Sequence, residues 1–433
     1  MDILIIISAG NVSNPEIKDF SSREELKENA RNQLFSNEHK LIDPATSALN
    51  ITVGSITRYD ETTIPRQYSS NTLSVADKDY PSVFTRIGKG INKSIKPEFV
   101  DYGGNFALKQ APRGRNRWDT NNINLLEPTL NNNNDKIFRG YCGTSFSAPH
   151  VTNIAARIEK SLEKQLGKKP SMNLVKAMLG NSAEVSKDMR EWAENSKDMN
   201  YHGAVNMKQD KCLRLLGYGK VTEKLMYSTE KNVTLFAEDS LDLRSFHLYK
   251  IPVPNEFLTV KSNKTIKVSL AYNPMTRLSR KDYLANNLWF EVFRKIDEET
   301  LIKYKTKKQL GEDTEDDFKS LPNCYKADFS PGYESLVKST LQQRTWCKGE
   351  RGGKDLLNET SDEPYIYILV TGKERFKYIE QDKPQEYAVC ITFSYDSEEN
   401  IGLYNKINSK ANIVVTRDSI RTNDRSSNTS IFL

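Results

Sequence analysis

The 433-residue chain is poor in the residues that announce several chemistries. Its 5 cysteines stand at positions 142, 212, 324, 347 and 390, an odd number with no pair at CxxC spacing. That pattern points away from a disulfide framework and from a zinc site, and it fits a reducing compartment. Histidines number only 4, and the acidic residues show no metal-loop spacing, so neither a metal nor a cofactor is expected. Long hydrophobic runs are missing too. The apolar run near the N-terminus covers only residues 3–7 and follows the acidic Asp2. A signal peptide needs a basic start and a longer apolar stretch, and a membrane span needs about 20 apolar residues. A cytoplasmic protein without a membrane partner is the expectation. Charge of one sign is also lacking: 63 Lys and Arg stand against 57 Asp and Glu, a net charge of +6 spread along the chain. With no one-sided basic block, a nucleic-acid partner is not expected.

The composition is otherwise that of a folded protein. Hydrophobic residues make up 37%, aromatics 9% and charged residues 28%, and the length suits two or three domains. The patterning changes near residue 229. Residues 1–228 read as α/β. The run Ile3-Leu4-Ile5-Ile6-Ile7 has the look of a strand buried on both faces, and it ends in the turn Ser8-Ala9-Gly10-Asn11. Ser22 with Glu25 forms a capping box for a helix over about 23–36. A second buried strand is expected over 50–56 and a third within 96–104, whereas 105–140, with its tract of asparagines at 131–134, reads as loop. A long helix follows over 144–166, with Val151, Ile154, Ala155, Ile158 and Leu162 on its apolar face and Gly167 closing it. Another helix starts after Pro170, capped by Ser171. In residues 229–433 the period is mostly two, as in Ile266, Val268, Leu270 and Tyr272, which predicts an antiparallel sandwich.

The chemistry lies in Gly143-Thr144-Ser145-Phe146-Ser147-Ala148-Pro149-His150-Val151-Thr152. A small-residue turn sets Ser145 at the head of a long helix, where free N–H groups and a partial positive charge await an anion. Gly143 leaves room for the close approach of a peptide. A lone serine there is ordinarily a helix cap; the extended string says more. It resembles the nucleophile signature of the subtilisin-like serine peptidases, and other strings resemble that family's motifs in the family's order. Ser8-Ala9-Gly10-Asn11 is similar to its oxyanion segment. Residues 43–56 look like the strand that follows, 95–105 like its KPD-x-x-APG segment, 171–185 like the helix after the nucleophile helix, and 217–221 like its GYG-x-[LIV] ending. Asp101-Tyr102 stands where the family has Ala-Pro. The likeness covers about residues 3–225. It implies Ser145 as the nucleophile, Asn11 as the oxyanion donor, and Ser8, Ala9, Gly10, Gly143 and Thr144 as substrate-binding residues, with a polypeptide as substrate. It also implies an incomplete subtilisin-like parallel sheet with flanking helices in 1–228, then a β-sandwich domain in 229–433.

The partners of a triad are the conspicuous absence. A serine nucleophile needs a base, and the base needs an orienting carboxylate. The resemblance implies that both lie before residue 1, in D-[ST]-G and HGT-H strings, and neither string occurs in the sequence. Asp2 lacks the Ser/Thr-Gly that should follow. His150 is five positions along the helix from Ser145 and points to another face, His39 reads as a surface residue, His202 lies in a loop and His247 in the β region. The expectation is therefore the distal part of a serine endopeptidase with little activity by itself, completed by a separate chain if the enzyme is split. The alternative is a non-catalytic pseudoprotease that binds a peptide or a partner.

Overall fold

The computed structural model describes residues 2–13, 15–16, 20–62, 72–110, 116–132, 136–196, 207–223, 228–277, 283–310, 326–332, 336–353, 356, 364–375, 384–409 and 415–419. The chain forms two compact units, 1–165 with 183–222 and 166–182 with 223–433. His202 and Cys324 lie outside the described residues, and the four described cysteines are free thiols. Among the described residues no helix is long and apolar enough to cross a membrane.

The first unit is α/β. Its strands are β1 (Ile6–Ser8), β2 (Ile51–Ile56), β3 (Thr72–Ser74), β4 (Phe99–Tyr102), β5 (Ala107–Lys109), β6 (Arg117–Asp119), β7 (Glu127–Leu130), β8 (Phe138–Tyr141), β9 (Ala183–Glu184) and β10 (Lys220–Val221). The main sheet runs β1-β2-β4-β10-β9, parallel except for β9. Every residue of β2 is buried, as expected of a strand in the middle of a parallel sheet. One cluster packs Ile56 of β2 and Val100 of β4 against Met189 and Ala193 of α4 (Lys187–Glu194) and Leu215 and Leu216 of α5 (Met207–Leu216). A second joins Leu26 and Ala30 of α1 (Arg23–Gln33) to Phe84, Phe106 and Leu108. The cap of α1 forms as its sequence predicts: Ser22 accepts from the Glu25 N–H at 3.2 Å. The Glu25 carboxylate reaches back one residue further than a capping box requires, to the Ser21 N–H at 2.7 Å.

Two expectations fail here. No residue from 2 to 8 is buried, although the aliphatic run suggested burial on both faces; Ile3 is 58% and Ile5 52% exposed. The reason is position: β1 is the edge of the sheet and pairs with β2 alone. Residues 105–140, read as loop, contain four short strands that make a three-stranded sheet with β3 and the hairpin β7–β8. Strands of three or four residues leave too little alternation to be read.

The second unit closes two four-stranded sheets on each other. Its strands are β11 (Asn232–Leu241), β12 (Ser245–Pro252), β13 (Asn263–Tyr272), β14 (Asn286–Arg294), β15 (Leu341–Lys348), β16 (Tyr365–Glu374), β17 (Gln385–Asp396) and β18 (Val415–Ser419). The orders are β11-β17-β13-β15 and β14-β16-β12-β18, antiparallel throughout. Val233, Ile266, Phe290, Trp346, Val370 and Phe393 belong to the shared core. The helix α3 (Met172–Ser182), capped by Ser171 accepting from the Leu174 N–H at 3.1 Å, falls in this unit. It lies on β13, β15 and β17 and is tied to them by Lys176 Nζ donating to Thr340 Oγ1, Ser269 Oγ to the Ala177 carbonyl and Gln343 Nε2 to the Gly180 carbonyl, each 2.7 Å. The division expected at residue 228 follows the sequence, whereas the units follow contact, so this helix changes sides.

Candidate active site

The site is assembled by the end of β1 and the head of a long helix. That helix, α2, runs Thr144–Leu166. Its apolar face holds Val151, Ala155, Ile158 and Leu162 buried, and Pro149 falls in the second turn of its start. Before it, the Gly143 N–H donates to the Gly103 carbonyl at 2.7 Å, which fastens the turn to the end of β4. Gly103 must be glycine: a Cβ there would lie 2.4 Å from Ser55 Oγ and 2.6 Å from Ser147 Oγ.

Asn11 comes to this turn from the far end of the sequence. Its carbonyl oxygen Oδ1 accepts twice from Thr144, from the N–H at 2.9 Å and from the hydroxyl at 3.0 Å. The Thr144 hydroxyl in turn accepts from the Gly10 N–H at 3.1 Å. With the amide oxygen occupied, the Asn11 Nδ2 group is turned over Gly143, where an added Cβ would stand 3.0 Å from it. So Gly143 serves the asparagine: its lack of a side chain makes room for the amide. Thr144, expected to touch substrate, orients Asn11 from both its N–H and its hydroxyl. Ser145, next in the chain, is exposed. Among the described residues no hydrogen bond is recorded for its hydroxyl or its N–H.

The expected pocket wall is held from below. Ala9 is fully buried, its N–H donating to the Val53 carbonyl at 2.8 Å, and Ser8 ends β1 half-buried. The Gly10 carbonyl accepts from the Arg86 N–H at 3.1 Å. The Arg86 guanidinium donates to the carbonyls of Glu38 at 2.6 Å and Lys40 at 2.8 Å, so its stem lies across Gly10. Nothing in the sequence links Arg86 to Gly10.

The two described histidines of the first unit are engaged elsewhere. His39 is fully buried, not at the surface as expected. One ring nitrogen, Nε2, meets the Val83 carbonyl at 2.9 Å and the other, Nδ1, the Ser36 hydroxyl at 3.0 Å, so the neutral ring is satisfied on both sides. Burial lowers its pKa to about 4. His150, half-exposed on α2, sits with Nδ1 4.0 Å from Asp101 Oδ1. Asp101 is buried on β4, and that burial raises its carboxyl above the usual carboxylate range. Beside it, Tyr102 is clamped by Lys220 Nζ at 3.6 Å and Arg58 at 4.3 Å from its ring, and its hydroxyl donates to Asp79 at 2.6 Å. The departure from Ala-Pro at 101–102 thus builds a charged cluster at the end of β4. Its only sequence signal was the departure itself.

The sequence pattern of the subtilase family matches residues 1–219. An uncharacterised protein, y4bN, of Sinorhizobium fredii (strain NBRC 101917 / NGR234) is 30% identical over 351 residues, covering 79% of this chain and 74% of that protein.

Proposed function

This chain belongs to the subtilase family, and from that premise we propose that it carries the nucleophile and oxyanion half of a serine endopeptidase. The observation that carries the reading is the pair of hydrogen bonds from Thr144 to Asn11 Oδ1, which leaves the Asn11 amide donor turned over Gly143, two residues before the exposed Ser145. In acyl transfer the Ser145 oxygen attacks the scissile carbonyl carbon and negative charge gathers on the carbonyl oxygen. Asn11 Nδ2–H and the Ser145 N–H are the donors for that charge. A donor fixed before the reaction stabilises the transition state more than the ground state. The tetrahedral intermediate then expels the amine, and water hydrolyses the acyl-serine.

The proton of Ser145 needs a base. Neither His39 nor His150 bonds to Ser145, and the D-[ST]-G and HGT-H strings do not occur in the sequence, so the base and its carboxylate are proposed to come from a separate polypeptide segment. Purified chain is expected to react slowly with a fluorophosphonate, and only at Ser145. Labelling at the rate of an ordinary subtilase would refute the missing base. Failure of Ser145 to label even when a segment with the D-[ST]-G and HGT-H strings is supplied would refute the nucleophile. The same absence of a bonded histidine favours a second reading, a pseudoprotease that binds peptides uncut. The DNA directly upstream separates the two: those strings in any reading frame support the enzyme, and their absence supports the binding module.

A further inference from the structure

Asn11 follows a glycine, and that glycine is in the left-handed region, with φ of +92° at Gly10. Glycine has more backbone conformations open to it than any other residue. Rotation at Gly10 would swing the Asn11 amide off Gly143, so a donor placed this way needs a brace.

The brace is the segment 83–87. On one side it pairs with the loop that carries Asn11. The Val12 N–H donates to the Phe84 carbonyl at 2.8 Å, Thr85 bridges Asn11 in antiparallel register, and the Arg86 N–H donates to the Gly10 carbonyl at 3.1 Å. On the other side it pairs with the turn after α1. There the Ile87 N–H donates to the His39 carbonyl at 2.7 Å, and the Leu41 N–H to the Ile87 carbonyl at 3.0 Å. One side chain joins the two sides. Arg86 Nη1 donates to the carbonyls of Glu38 at 2.6 Å and Lys40 at 2.8 Å. On the way there its Cδ and Nε pass 3.1 Å and 3.6 Å from the place where a Gly10 Cβ would stand. The stem thus occupies the space that a side chain at Gly10 would fill, and it opposes rotation of that residue. The Gly10 N–H is held separately, by the Thr144 hydroxyl at 3.1 Å. Arginine suits the task because its N–H bonds diverge in a rigid plane and its charge does not titrate, whereas an ammonium turns freely.

We propose that Arg86 is the positioning residue of the oxyanion donor: it fixes Gly10 and, through Gly10, the Asn11 amide. The proposal deepens the reading of Ser145 as nucleophile and Asn11 as donor, and rests on it. Because Arg86 acts through Asn11, a double-mutant cycle isolates its role. Fluorophosphonate labelling of Ser145 in the full chain is followed against reagent concentration for wild type, Arg86→Met, Asn11→Ala and the double variant. Methionine keeps an unbranched stem and removes the donors. Misplacing a catalytic group by a fraction of an ångström is costly, so Arg86→Met should lower the saturating labelling rate about tenfold while the concentration for half-saturation stays unchanged. In the Asn11→Ala background the same substitution should change the rate by no more than about twofold, since the group it positions is gone. Arg86→Lys, which keeps the charge and the stem, should restore the rate to within about threefold of wild type. It replaces Arg86→Met in the cycle should that variant melt below the assay temperature. Equal slowing in both backgrounds is the mark of a merely structural residue and overturns the proposal. So does an unchanged rate in Arg86→Met beside a slow Asn11→Ala, which leaves the oxyanion reading standing. An Asn11→Ala variant that labels like wild type removes that reading, and the role of Arg86 with it.

Discussion

The two units solve the same problem, hiding β-sheet faces, in opposite ways. In the second unit, strands of eight to twelve residues such as β15 and β17 face one another across a single core, and antiparallel pairing lets neighbours in sequence do the covering. In the first unit the strands of the main sheet have two to six residues, and each face needs a helix brought from elsewhere. Where that cover is present, as over β2, burial is complete; at the edge strand β1 it is only partial, and Ile3 and Ile5 just before it are exposed. The strands of such a sheet open at their ends into loops, and Asn11 lies in the loop that follows β1. The sandwich has stability to lose, and the α/β unit has function to lose.

The largest expected effect tests the first half of that contrast. Trp346 of β15 is fully buried in the sandwich core. Trp346→Ala should cost about 3–5 kcal/mol through lost contacts and the cavity left behind. Urea unfolding followed by fluorescence measures it. A cost below 1 kcal/mol would mean that the core between the sheets is not closed.

The next effect tests function. Asn11→Ala should slow fluorophosphonate labelling of Ser145 by about 10²–10³-fold relative to wild type, a range taken from removal of such a donor in the related enzyme subtilisin. Because Asn11 is exposed, its melting temperature should hardly move. A variant that labels normally would take Asn11 out of the oxyanion site. One that unfolds would make it a structural clasp for the Thr144 turn.

How much of this was readable beforehand follows the same contrast. α2 was placed to the residue because its four buried side chains recur at helical spacing within one segment. Asn11 and Ser145 could be singled out because short strings surround them, though the hydrogen bond that joins Asn11 to Thr144 across 133 residues left no pattern of its own. β15 was hidden inside a polar stretch: Gln342 and Arg344 are buried there, with Gln342 donating to the Leu288 carbonyl and Arg344 to those of Phe329 and Pro331. Polar residues satisfied by distant carbonyls look like surface in a sequence. His39 was misread for the same reason, since its partner Val83 is 44 residues away.

His39 gives the third test, inside the α/β unit. Its folded pKa is lowered to about 4 from 6.5, so the unfolded chain binds more protons between those values. The sign follows: its contribution is full above about pH 6.5, declines as pH falls, and is lost by about pH 4. At 1.36 kcal/mol per pKa unit, the whole contribution is about 3 kcal/mol. Melting temperatures of wild type and His39→Gln between pH 7 and 4 measure it. The variant should show a flatter acid limb, and parallel curves would mean that the ring is not neutral and buried.

The smallest effect in energy concerns the aliphatic residues that lead into β1. A partly exposed side chain changes stability by within about 0.5 kcal/mol when replaced, so Ile5→Lys, at a residue 52% exposed, should leave the melting temperature of the chain almost unchanged. Its consequence is expected in association instead. An aliphatic edge strand with free N–H and C=O groups pairs with other chains, and a lysine on the edge opposes that pairing. Light scattering at rising concentration should show wild type associating and Ile5→Lys doing so less. Equal behaviour of the two would mean that the edge is already blunted within the chain, and the contrast between a self-covering sandwich and a sheet in need of cover would lose its clearest instance.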